Sequence, residues 1–94
     1  MQLGRPVISP SSERTVRMPV DLHARPAGEF TKAAARFQAT VRLRAGAKEA
    51  DARSVLMVMA LGATAGTEVT ITASGIDAAD AVESLAALLA GVGA

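Results

Sequence analysis

The spacing of hydrophobic residues switches between a period of two and a period of three to four along this chain, and that succession limits the folds open to it. Val16, Met18 and Val20 alternate, which predicts a half-buried strand starting near Glu13. Pro19 marks an edge or a strand end, because it cannot donate to a ladder. Over 24–38 the period lengthens: Ala27, Phe30, Ala34 and Phe37 share a helical stripe, while Glu29, Lys32 and Arg36 lie off it. Pro26 suits the first turn of that helix, where its missing N–H costs nothing. Val41, Leu43 and Ala45 alternate again, Gly46 marks a turn, and Lys48–Ala52 returns as the second strand of a hairpin. Ser54 stands at the N-cap of a short helix that runs to about residue 61 and stops at Gly62. Over Thr67–Ala73, Val69, Ile71 and Ala73 point inward and Thr70 and Thr72 outward. Asp77, with Asp80 three residues on, predicts a capping box for a last helix with the stripe Val82, Leu85, Leu89 and Val92, ending at Gly91.

Strands with one polar face and helices with one apolar stripe predict an α+β domain, a single antiparallel sheet covered on one side by helices. The chain of 94 residues has room for one compact domain. Residues 1–12, with Gly4, Pro6, Pro10 and a Ser pair, read as a flexible extension, and 13–94 as the domain. With two Phe and no Trp or Tyr, the core must come from Val, Leu, Ile and Met, with Ala allowing close helix packing. Ten basic residues nearly balance nine acidic ones, and aromatics are scarce, so neither the charge excess nor the stacking platform of a nucleic-acid binder is present. There is no cysteine for a disulfide framework, and one His without Cys is a poor metal ligand set. No apolar run reaches the roughly 18 residues that span a membrane, and the N-terminus lacks the pattern of a signal peptide. A cytoplasmic setting is the expectation.

The single His, His23, falls between the first strand and the first helix. The N–H groups of a first helical turn have no partner within the helix, and the helix dipole favours negative charge there. Arg25 adds a guanidinium fork that matches phosphate geometry. An imidazole titrating near 6.5 offers an unprotonated nitrogen nucleophile at neutral pH. On residue chemistry alone, His23 is either a phosphoryl or anion site or an ordinary capping or solvated loop residue; both readings stand at this point.

The segment Leu22-His23-Ala24-Arg25-Pro26-Ala27 resembles the active-site signature of the histidine-containing phosphocarriers, the HPr family of the bacterial phosphotransferase system. Ala52-Arg53-Ser54 through Ala60-Leu61-Gly62 resembles that family's regulatory-serine helix, and the likeness continues through Gly66–Ile71 to the acidic start of the last helix. The resemblance implies an open-faced β-sandwich of βαββαβα order, a four-stranded antiparallel sheet with three helices on one face. It implies that His23 carries a phosphoryl group on Nδ1, received from enzyme I and passed to IIA components of sugar permeases, with Arg25 supporting the phosphohistidine. Ser54 matches the serine phosphorylated by a dedicated kinase, and Ala24, Lys32, Val55, Leu56 and Met59 match the partner-docking surface. Leu56 and Met59 are therefore expected to be partly exposed, and Val58 and Leu61 to be core. The implied protein is a monomeric carrier rather than an enzyme, without cofactor, metal, nucleic acid or membrane insertion.

The sequence departs from the family pattern at Asp21, where Gly is common, and at Gly28 and Glu29, where a bulkier Thr-Leu type pair is usual. The Asp21 carboxylate stands either to repel an incoming phosphoryl group or to cap the helix. Two other functions fit the same fold: a paralogue serving a regulatory branch, such as nitrogen control or a dihydroxyacetone kinase, and a non-catalytic interaction module. The retained His-Ala-Arg-Pro weighs against the module.

Overall fold

A computed structural model describes residues 10–93. The chain forms β1 (Ser11–Arg17), α1 (Ala24–Ala34), β2 (Thr40–Ala45), β3 (Lys48–Asp51), α2 (Val55–Ala60), β4 (Glu68–Ser74) and α3 (Ala78–Gly91). The four strands make one antiparallel sheet in the order β1-β4-β2-β3, so the last strand lies between the first two. All three helices lie on one face, as the open-faced sandwich requires: α3 packs on β1 and β4, and α1 packs against both other helices.

Alternation decides which face is covered. Val41 and Leu43 on β2, Ala50 on β3, and Val69, Ile71 and Ala73 on β4 are buried under the helices. The helices return Phe30, Val58, Val82, Leu85 and Leu89 to the same core. Each such aliphatic or aromatic side chain contributes about 1.5–3 kcal/mol by leaving water. The other face of the sheet is polar. There Thr15 and Thr70 share a hydroxyl–hydroxyl hydrogen bond across β1 and β4, and Arg42 pairs with Glu49 at 2.6 Å across the hairpin.

Several expected boundaries move. Ser11 and Ser12 belong to β1, paired with Ser74 and Ala73, because an edge strand extends by backbone pairing even where its side chains are polar. Residues 1–9 of the expected extension lie outside the described residues. The strand ends at Arg17; Met18 is buried beyond it, its N–H donating to the Thr67 carbonyl at 2.8 Å. Helix α1 stops at Ala34 rather than at 38, and Phe37 packs half-buried from the turn that follows.

The capping box expected at α3 is not formed. Asp77 occupies the N-cap but makes no side-chain cap bond. Its carboxylate instead accepts from the backbone N–H groups of Gln38, at 2.8 Å, and Ala39, at 2.7 Å. The start of α3 is thereby fastened to the loop entering β2. The Gln38 N–H foremost, and then the Ala39 N–H, hold this carboxyl below its ordinary value of 3.8, against the opposing effect of burial.

Candidate functional site

His23 is the N-cap of α1, with an extended backbone (φ −91°, ψ −165°), and its carbonyl accepts the Ala27 N–H at 2.9 Å. Its ring makes no capping hydrogen bond and is exposed. The neighbours on both sides point inward: Leu22 before it and Pro26 and Ala27 after it are buried. The backbone is thus fixed while the imidazole faces solvent at the end of the helix where first-turn N–H groups have no helical acceptor.

A second loop holds the approach to His23. Leu22 N–H donates to the Ala63 carbonyl at 2.9 Å, and Gly66 N–H donates to the Met18 carbonyl at 2.7 Å. The Asp21 carboxylate accepts from Ala65 N–H at 2.8 Å. Asp21 therefore does not cap α1: it ties the loop before His23 to the loop between α2 and β4.

His23 and Arg25 share an open cleft of about 510 Å³ with Glu29, with Leu88 and Gly91 of the last turn of α3, and with Val92 just after it. The end of α3 is seated against the loop before His23. Gly93 has φ +80°, and a Cβ there would stand 2.6 Å from Cγ1 of Val20. Arg25 is exposed, and its Nε lies 3.8 Å from Oε1 of Glu29. The periodicity-based reading missed Glu29 and the α3 wall of the cleft. The four-residue spacing of Arg25 and Glu29 was visible in the sequence; the α3 wall is a tertiary contact with no local signal.

Ser54 is the N-cap of α2, and its hydroxyl accepts the Met57 N–H at 3.2 Å. This helix is split as expected. Val58 is fully buried and Leu61 nearly so, whereas Leu56 is 79% exposed and Met59 37%. Val55 and Met57 are also exposed, which gives α2 an apolar outer surface. Ala24 and Lys32 are exposed on α1, the helix against which α2 packs. Among the described residues no group of three or more His, Asp or Glu is placed to hold a metal ion. No helix among them is long and apolar enough to cross a membrane.

Residues 10–91 match the family model described as the PTS HPr component phosphorylation site. The phosphocarrier protein HPr of Vibrio cholerae serotype O1 is 44% identical over 68 residues, which cover 72% of this chain and 80% of the relative. The HPr-like protein Crh of Bacillus subtilis is 43% identical over 72 residues, covering 77% of this chain and 85% of Crh. The crystal structure of a phosphocarrier protein HPr from Bacillus anthracis superposes with a TM-score of 0.79 at 34% identity, covering 84% of this chain and 96% of that one.

Proposed function

The chain belongs to the HPr family of phosphotransferase-system phosphocarriers, and from that premise we propose that His23 takes a phosphoryl group from enzyme I and passes it to IIA components of sugar permeases. The observation that supports this most is the exposed imidazole at the start of α1, without a capping bond of its own and sharing a cleft with Arg25. An imidazole lone pair attacks phosphorus, the new P–N bond forms, and the bond to the donor breaks with its electron pair left on the donor. The proton on the other ring nitrogen stays where it is. Onward transfer reverses these roles, with the IIA component as nucleophile and His23 as leaving group. The charge gathered on the phosphoryl oxygens meets the first-turn N–H groups of α1 and the Arg25 guanidinium.

In this reading the chain is a carrier and not a catalyst. The transfer site is completed when a partner docks on Ala24 and Lys32 of α1 and on Val55, Leu56 and Met59 of α2. An apolar surface that includes an exposed methionine adapts to more than one partner. Ser54, capping that helix, is where a serine kinase would regulate docking. The setting is cytoplasmic.

Incubation with phosphoenolpyruvate and purified enzyme I should give one acid-labile adduct by intact-mass spectrometry, absent from His23→Ala. An adduct that persists in that variant would exclude His23 as the carrier atom. A second reading, a regulatory carrier of the same fold, is favoured by the 43% identity to the HPr-like protein Crh, whose solution structure is described as that of the Bacillus subtilis catabolite repression HPr. Loading by the enzyme I of a regulatory branch, and not by that of the sugar branch, would select it. A protein loaded by neither would be an interaction module.

A further inference from the structure

Arg25 has a competitor for its charge. Glu29 follows it by one helical turn, with 3.8 Å between Nε and Oε1, and both side chains line the cleft that holds His23. The pair is loose. Its separation is too long for a hydrogen bond. The cation precedes the acid, the weaker order for an i,i+4 pair, and a cation at a helix start opposes the dipole. A phosphoryl group on His23 would carry nearly two negative charges and offer Arg25 a closer, forked acceptor. The guanidinium would then leave Glu29, whose carboxylate would remain in the same cleft as an uncompensated like charge.

We propose that Glu29 is a positioning residue that raises the transfer potential of the phosphohistidine, by holding Arg25 in the empty carrier and surrendering it on loading. The inference rests on the carrier reading above. The loaded state loses an ion pair and gains a repulsion, so onward transfer is favoured and loading is held back. An exposed i,i+4 pair corresponds to about a two-fold change in an equilibrium constant, and the repulsion gained on loading adds to it, for about two- to five-fold in all.

The test mixes phosphorylated enzyme I with equimolar carrier and reads the phosphohistidine fraction at equilibrium by phosphorus NMR. Wild type, Glu29→Gln, Arg25→Ala and the double variant are compared, with a urea melt of each to confirm folding. Glu29→Gln should move the constant towards loaded carrier about two- to five-fold with the fold intact. With Arg25 already replaced by Ala, the same substitution should move it by at most half as much on a logarithmic scale. An equal or lower constant for Glu29→Gln overturns the proposal, and so does a shift that survives by more than half without Arg25. Wild type that takes no phosphoryl group at all would sink the carrier reading and this inference with it. Wild type that loads normally beside an unmoved Glu29→Gln constant would sink this inference alone.

Discussion

Substitutions at Ser54 can separate its structural role from its regulatory one. The Ser54 hydroxyl makes one cap bond, 3.2 Å long, at a half-buried position. Ser54→Ala should therefore cost about 1 kcal/mol, the middle of the range for a lost N-cap. For a domain of this size that is a fall of about 4–8 °C in Tm. Ser54→Asp keeps an acceptor at the cap and adds a negative charge at the positive end of α2, worth about 0.3–1 kcal/mol in its favour. Its melting point should match wild type or rise slightly. The new charge borders Val55 and Leu56, on the surface proposed to receive enzyme I. Desolvating it there, or opposing it to an acidic partner surface, should cost about 1 kcal/mol or more, and raise the enzyme I dissociation constant about five-fold or more. Thermal melts and calorimetric titration of both variants check this. The Ala variant is the control, since it loses stability without gaining charge, and its Kd per folded molecule should stay within about two-fold of wild type. An unchanged Kd for Ser54→Asp would refute the electrostatic account. A melting point as low as that of the Ala variant would refute the capping geometry.

Leu56→Ala should weaken enzyme I binding while stability moves by about 0.5 kcal/mol or less, given a side chain 79% exposed; a large loss of stability with binding spared would make the residue core. Gly75→Ala should destabilise by about 1–3 kcal/mol or more, read as a lower urea midpoint, because φ is +139° and the added Cβ would stand 2.9 Å from the Ala39 Cα, a backbone atom that cannot swing aside; a neutral substitution would show the β4–α3 junction to be looser than drawn. The depressed Asp77 carboxyl stabilises the fold above its ordinary value of 3.8, and that contribution disappears as pH falls through the still lower folded value. Asp77→Asn should thus be less stable than wild type at neutral pH, with the gap narrowing in urea melts below about pH 4; a gap independent of pH would mean that the charge is immaterial.

Local patterns were enough where local forces decide. The alternation of Val69, Ile71 and Ala73, the turn at Gly46 and the Ser54 cap all lie where the sequence places them. The misses share a tertiary cause. Asp77 looks like a cap because its neighbours follow the pattern of one, yet its partners at Gln38 and Ala39 are distant in sequence. Ser11 and Ser12 carry no hydrophobic signal, and join the sheet only because β4 offers backbone groups beside them. Phe37 continues the apolar stripe of α1 from outside the helix, since a large ring can reach the core from a turn. At the candidate site, the placement of His23 and Arg25 at the start of α1 was legible from the switch of hydrophobic period. The tie from Asp21 to Ala65 was not, because a carboxylate's choice among backbone donors depends on which loops the fold brings beside it.

The fastening of the loop before His23 to residues 63–67 bears on how one small surface would serve the two successive partners of the proposed cycle. Met18, Leu22 and Gly66 place their amides in bonds between the two loops, and Asp21 adds a side-chain bond to Ala65. A segment held in this way has already lost its conformational entropy in the free protein, so neither donor nor acceptor has to supply that ordering on contact. Amides bonded in this way should exchange with solvent more slowly than those of an untied loop. In the proposed cycle the backbone offered to the second partner would then be the backbone the first one met, and the two encounters would differ in side-chain charge rather than in main-chain shape.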